Sequence, residues 1–485
     1  MPTSNTPLKN TPLENTPLKI DTSLESDLGS DDIITGAVPA TSPNKLATTR
    51  NHAAGFDAIH PPEQSLLDAC VHCGFCLPTC PSYRVIGKEH DSPRGRVYLM
   101  DAINKGEVPL SNAAVEHFDT CLGCLACTTA CPSGVQYDQL IASIRPQIQR
   151  NHIRPWPENA IRQLIFSLFP YPDRIRLLLT PLALYQKLGV SKLLRTTGLL
   201  KRFSPNLSAM ESLLPPVTTS CFADNLPERI AAGGTQRYRV GMILGCVQRV
   251  FFTGVNEATA RVLSANGCEI IVPKSQGCCS ALPEHQGETA QAQSLARQMI
   301  DSFEHTDTDY IIINAAGCGH TLKEYGHILA DDPAYAQKAK DFAAKVRDVQ
   351  EFLAEVGLTT KLHPLQEAPL TAVYQDACHL LHGQKISRQP RDLLRLIPGL
   401  TLKEPIDAAL CCGSAGVYNM LQPEIAEELG QMKATNLVNT GATLIASANP
   451  GCSLQIKQAL EKQGQTTKLL HPMQLLDMSI KGEQL

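Results

Sequence analysis

The chain has 485 residues, is 43% hydrophobic and 19% charged, and carries a net charge of −4. That balance is ordinary for a globular protein and gives no reason to expect nucleic acid or an anionic membrane as the main partner. No apolar run of about 18 residues occurs, so no transmembrane segment is predicted, and the N-terminus lacks the basic-then-apolar order of a secretory signal.

Residues 1–58 read as a disordered low-complexity tail. Asn5-Thr-Pro-Leu-Lys9, Asn10-Thr-Pro-Leu-Glu14 and Asn15-Thr-Pro-Leu-Lys19 repeat a five-residue unit with Pro in each copy. Such a segment cannot bury enough apolar surface to offset its ordering entropy.

Residues 59–150 carry two cysteine runs. Cys70, Cys73, Cys76 and Cys80-Pro81 form the first; Cys121, Cys124, Cys127 and Cys131-Pro132 form the second. Both read C-x2-C-x2-C-x3-C-P, the run with which two-cluster ferredoxins hold [4Fe–4S] clusters, the fourth Cys reaching the other cluster. The expected ligand sets are therefore Cys70, Cys73, Cys76 and Cys131 for one cluster, and Cys121, Cys124, Cys127 and Cys80 for the other. A zinc ribbon does not fit, because it pairs C-x2-C units about 15–20 residues apart. The gap from Cys80 to Cys121 is 41 positions, and each run has four cysteines. A disulfide framework suits small secreted domains, and this chain is not small. Pro61-Pro62-Glu63 can start a helix that continues through Ser65 to Cys70. Arg94 and Arg96 stand between the runs, either as cations that tune a cluster or dock a partner, or as a solvated basic turn. His72 is expected not to be a ligand, since four cysteines are already available.

Residues 151–236 read as a helical bridge. Ile161–Phe169 and Ile175–Leu188 are apolar on more than one side, and Pro170, Pro172 and Pro181 interrupt them. A core or subunit-facing helix pair explains this pattern more readily than a membrane-surface helix. Cys221 has no partner at ligand spacing and reads as a bystander.

From residue 237 strands and helices alternate, and the alternation occurs twice, over 237–364 and 365–485. The first copy has strands at 239–244, 269–272 and 310–313, with helices at 256–266 and 288–303. The second has strands at 371–374 and 443–446 and a helix at 390–396. Cys246, Cys278, Cys279 and Cys318 recur as Cys378, Cys411, Cys412 and Cys452, with offsets of 132, 133 and 134. The expected fold is α+β and multidomain: a helical ferredoxin-type domain, a helical bridge and two α/β repeats with parallel sheets. Each cysteine follows a strand, and open α/β sheets bind ligands at the carboxyl ends of their strands. Each set of four is expected to converge in a cleft of its own. Cys268 has no counterpart and reads as buried. His320, His379 and His382 read as neighbours of these cysteines or as surface residues.

The repeated cysteine pattern resembles the cysteine-rich CCG domain of heterodisulfide reductase B subunits and of flavoprotein dehydrogenase iron–sulfur subunits. That family pattern ends in C-x2-C. Here Thr321 and Gln455 stand at the last position, and Ser280 stands where the second copy has Gly413. Four of five expected ligands remain in each copy, so a further iron–sulfur centre there is left open. The order of domains, with Pro93-Arg-Gly-Arg96, Cys131-Pro-Ser-Gly134-Val135, Gly317-Cys318-Gly-His-Thr-Leu-Lys-Glu-Tyr-Gly326 and Leu410-Cys-Cys-Gly-Ser-Ala-Gly416, resembles the glycolate oxidase iron–sulfur subunit over residues 59–485.

No G-x-G-x-x-G loop follows a strand, no nucleophile–base pair stands out and no flavin site is visible, so no catalytic residue is assigned. The resemblance implies an oxidoreductase complex acting on CH–OH with an acceptor other than NAD or oxygen. Two partner FAD-domain subunits would oxidise glycolate to glyoxylate, and this chain would relay electrons through two [4Fe–4S] clusters to a quinone-like or other acceptor. The same relay for L-lactate or glycerol 3-phosphate, and a heterodisulfide or thiol reductase, are the alternatives. The expected location is the cytoplasm, with peripheral attachment to the inner membrane through the complex.

Overall fold

The computed structural model describes residues 55–485; the repeat tail read at 1–58 lies, but for its last four positions, outside the described residues. The first region is helical. Pro81 opens helix Pro81–Ile86 directly after Cys80, where its missing N–H is no loss. Helix Pro93–Asn104 starts with Pro93 at its first position and Ser92 as its cap, the Ser92 hydroxyl accepting from the Gly95 N–H. Gly95 is required there, because a Cβ would stand 2.0 Å from the Glu89 carbonyl oxygen. Helix Tyr137–Asn151 buries Tyr137, Leu140, Ile141, Ile144 and Ile148, the spacing of one helix face, against Val97, Met100 and Phe118.

Short helices from Trp156–Leu168 to Pro205–Ser212 form the bridge. Pro172 begins a helix rather than only breaking one. Ile175 and Leu179 pack on Cys221 and Val250, and Ile165 and Phe166 pack on Val417, so the bridge lies against both repeats. Leu177, Leu184, Leu188 and Phe203 remain exposed. No helix among the described residues is long and apolar enough to cross a membrane.

The sheet of the first repeat is β1 (Arg229–Ile230, from the end of the bridge), β2 (Tyr238–Met242), β3 (Cys268–Ile271), β4 (Tyr310–Ile313) and β5 (Val346–Asp348) in the order β1-β3-β2-β4-β5. Only β1 pairs antiparallel. The second contains β6 (Leu370–Gln375), β7 (Leu400–Lys403), β8 (Leu444–Ser447) and β9 (Lys468–Leu470), all parallel, in the order β7-β6-β8-β9. The mixed α/β class with two parallel sheets is as the sequence implies. Val240, Ile270, Ile312, Ala372, Tyr374, Leu444 and Ala446 contribute to one continuous core across both repeats. The repeats also join at their strand ends, where the Ala316 N–H donates to the Ala448 carbonyl at 3.2 Å and the Gly317 N–H to Asn449 Oδ1 at 3.2 Å.

Candidate iron–sulfur centres and the cavity between the repeats

The two cysteine runs share one backbone path. His72 and Gly123, each before the second cysteine, are both left-handed (φ 52° and 63°). Gly74 and Leu125, each after it, are left-handed too (φ 86° and 63°). These turns gather three cysteines of each run in a tight curl. His72 thus occupies a turn position; its Nδ1 lies 4.0 Å from Cys70 Sγ.

Cys70, Cys73, Cys76 and Cys131 line one hollow, together with Cys127. Cys80, Cys121, Cys124 and Cys127 line a second. The fourth cysteine of each run therefore lies at the hollow of the other run. Among the described residues no group of three or more His, Cys, Asp or Glu closes to single-ion distance; each set of four rings a hollow instead. Four soft thiol donors around one space suit a [4Fe–4S] cluster.

The second hollow is buried and electropositive. Arg96 is 1% exposed. It donates to the His117 carbonyl at 2.6 Å, to Ser82 Oγ at 3.0 Å and to Thr120 Oγ1 at 2.9 Å, and its guanidinium lies 4.0 Å from Cys80 Sγ. Arg145 donates to the Cys121 carbonyl at 3.0 Å. Burial opposes ionisation of Cys121, but the charges of Arg96 and Arg145, the Tyr137 hydroxyl and the Gly123 N–H hold its pKa below the usual thiol value. Burial, and then neighbouring thiols, push Cys124 and Cys127 well up. Of the two arginines that the sequence left open, Arg96 is no solvated turn. Arg94 is more exposed, pairs with Glu89 at 2.6 Å and donates to the His72 carbonyl.

Each set of four cysteines in the repeats gathers at the carboxyl ends of its strands. Cys278 Sγ lies 3.5 Å from Cys246 Sγ. The neighbouring Cys278 and Cys318 thiols lower the pKa of Cys279, Cys246 and then Cys279 raise that of Cys278, and Cys279 raises that of Cys318. Cys411 Sγ lies 4.0 Å from Cys378 Sγ, and Cys412 neighbours both Cys411 and Cys452. Ser280 and Gly413 share a left-handed backbone (φ 66° and 86°), so the departure from glycine in the first copy leaves the turn intact. Thr321 and Gln455 are both buried. Gln455 donates to the Ala426 carbonyl at 2.8 Å and accepts from Asn419 at 2.9 Å.

The two sets do not occupy separate clefts. Cys246, Cys279, Cys318, Cys378 and Cys452 all line one cavity of about 470 Å³, whose far wall is the bridge. The reason is the strand-end contact between the repeats, which sequence periodicity within one copy does not reveal. On the other side lies a cavity of about 580 Å³ whose lining includes Asp138, Arg145, Glu284 and Glu324. His285 and His379 line both. Their ring centroids are 4.8 Å apart, and His320 lies 4.9 Å from His379. His285 pairs with Glu284 at 2.6 Å. Burial lowers His320 to about 4 and His379 well below the usual range. His382 pairs with Thr129 Oγ1 at 2.9 Å. The three histidines placed near the cysteines are therefore interior. His285, Glu284 and Arg145 were missed, because no motif singles them out. Cys221 and Cys268 are buried away from every set.

These elements define an iron–sulfur protein with a dicluster region and two cysteine-rich repeats. Family models agree: a 4Fe-4S dicluster domain matches residues 66–135, the linker region of the glycolate oxidase iron-sulfur subunit matches 157–214, and a cysteine-rich domain matches 240–323 and 372–457. The chain is 38% identical to the probable glycolate oxidase iron-sulfur subunit of Bacillus subtilis (strain 168), over 82% of this chain and 90% of that one. It is 33% identical to the glycolate oxidase iron-sulfur subunit of Escherichia coli (strain K12), over 86% and 95%. Lactate utilization protein A of an Exiguobacterium strain is 28% identical over 50% of this chain and 98% of that one. In fold, the chain is similar to a hypothetical protein from Helicobacter pylori at 9% identity and TM-score 0.52, over 81% of this chain and 68% of that one. The chain belongs to the glycolate oxidase iron–sulfur subunit family.

Proposed function

We propose that this chain is the electron-relay subunit of a glycolate dehydrogenase complex, with residues 59–150 as the cluster domain, 151–236 as bridge and 237–364 and 365–485 as repeats. Cys70, Cys73, Cys76 and Cys131 hold one [4Fe–4S] cluster, and Cys121, Cys124, Cys127 and Cys80 the other. Bound there, the clusters supply one-electron transfer. Two partner FAD-domain subunits oxidise glycolate to glyoxylate, and the electrons leave for a quinone-like acceptor, neither NAD nor oxygen. The complex works in the cytoplasm or against the inner membrane.

The observation that carries this reading is the contact between the second hollow and the second repeat. Leu122, Cys124 and Ala126 pack with Leu410, Cys411 and Tyr418. At the second hollow the chain provides a buried, positively charged seat for a negative cluster. The lactate reading has less support, since that relative matches only half of the chain. The test is the purified complex with an artificial dye acceptor. Cys124→Ala should abolish glycolate-driven dye reduction while glycolate still bleaches the partner flavin. Full dye reduction in that variant refutes the relay.

A further inference from the structure

The two hollows of the cluster region differ in how they meet the outside. Cys80, Cys121, Cys124 and Cys127 are all buried, and Cys124 packs with Leu410, Cys411 and Tyr418 of the second repeat. At the first hollow Cys73 is exposed and Cys70, Cys76 and Cys131 are half-buried. Of the eighteen cysteines, all among the described residues, Cys73 alone is exposed. The exposed large apolar side chains of residues 59–150 are Ile59, Val71, Phe75 and Tyr98, and the last three, 66%, 65% and 63% exposed, belong to this hollow. Val71 lines it, and Phe75 stands between Gly74 and Cys76 of the lining. Tyr98 meets the His72 ring edge to face, with 6.1 Å between centroids. Exposed apolar side chains grouped in this way mark an interface, where aromatic ones carry much of the binding. Their loop is held in advance: Arg94 donates to the His72 carbonyl at 3.1 Å and pairs with Glu89 at 2.6 Å. Such ordering lowers the entropy lost on binding.

We propose that the flavin-bearing subunit of the complex docks on this patch, over Cys73, and that electrons enter the chain there. The proposal rests on the electron-relay reading and adds the place and direction of entry. Electron exchange falls off steeply with distance, so the donor must lie against an open edge of a cluster site. Cys73 offers that edge, and the sealed second hollow does not. Cys127 lines both hollows, so the onward path to the second set and the second repeat stays inside the protein. Each crossing moves one electron: the reduced flavin loses it, and the iron held by Cys70, Cys73, Cys76 and Cys131 gains it. Two crossings reoxidise the flavin, and its protons go to water. The exposed Leu184, Leu188 and Phe203 of the bridge have no exposed cysteine beside them and offer no such entry.

The test is the affinity of the full iron-loaded chain for the flavin-bearing subunits, measured anaerobically by biolayer interferometry, beside EPR of the clusters after glycolate is added. Phe75→Glu puts a charge on the patch. Tyr98→Ala removes its second aromatic ring from outside the cysteine run, and so tests the patch even where Phe75→Glu loses iron. Leu188→Glu, on the exposed bridge, is the control. The expected result is binding about tenfold weaker in both patch variants and unchanged in the control. Glycolate should still bleach the flavin in all three, while the cluster signals appear more slowly in the patch variants alone. Unchanged affinity in both patch variants overturns the proposal. Weaker binding in Leu188→Glu alone moves the docking to the bridge and overturns it too. Self-association of the chain that Phe75→Glu abolishes, with affinity for the flavin-bearing subunits intact, gives the patch to a second copy and has the same consequence. The relay reading falls only if Cys124→Ala keeps full dye reduction, so the two can fail separately.

Discussion

The His379 Nε2–H donates to the Gly123 carbonyl at 2.9 Å, across 256 positions of sequence. Gly123 lies between Cys121 and Cys124, and His379 follows Cys378, so this bond ties the second cysteine run to the second repeat. The Tyr418 hydroxyl donates to the Thr120 carbonyl at 3.0 Å just beside it. His379→Ala leaves the Gly123 carbonyl without its partner. A loss of about 1–3 kcal/mol in stability is expected, the range for an orphaned buried acceptor. Urea unfolding of the iron-loaded chain measures it.

Arg96 and Arg94 stand two residues apart and differ in consequence. Arg96→Leu leaves the carboxylate of Asp91, itself 2% exposed, without its nearby cation. The expected loss is about 3–5 kcal/mol, as for a broken buried pair. Arg94→Ala removes a partly exposed ion pair with Glu89 and is expected to change stability by less than about 1 kcal/mol. Denaturant midpoints of the two variants, compared side by side, check the ranking.

Cys221→Ser and Cys268→Ala are expected to leave iron per chain unchanged. Cys268 lies in β3 at 0% exposure, and burial raises its thiol to about 12, so it stays protonated. Iron and sulfide assays on the two variants decide it, and a loss of iron in either would assign that residue to a cluster.

Asp348 caps helix Val349–Val356 from a fully buried position, and burial raises its carboxyl from 3.8 to about 6. The unfolded chain ionises first as pH rises, so stability falls between about pH 4 and pH 6 and stays lowered above that. Asn caps nearly as well as Asp. Asp348→Asn is therefore expected to be more stable than the unaltered chain at pH 7, by on the order of 2–3 kcal/mol. The gap should shrink at pH 5. Thermal unfolding at the two pH values measures the difference.

The strands at the centres of the two sheets were legible because they are apolar runs flanked by turns; β4 at Tyr310–Ile313 matches its expected span. The short edge elements were not. β1 has two residues, and β5, Val346-Arg-Asp348, carries polar side chains that give no strand signal. β7 and β9 are of the same kind, three or four residues at the rim of the second sheet. Spacing alone grouped the sixteen cysteines into two runs and two repeats. It did not foretell the common cavity, which depends on how Ala316 meets Ala448. Nor could it find His285, a single residue whose meaning comes from what surrounds it.

The central claim is that each cluster draws its fourth ligand from the other run. Counting intact [4Fe–4S] clusters by EPR and iron analysis in two double variants tests it most directly. Cys76→Ala with Cys131→Ala strikes one set twice, so four irons and one cluster signal should survive. Cys76→Ala with Cys80→Ala strikes both sets, and both clusters should be lost. Survival of a cluster in the second double variant and loss of both in the first would contradict the account.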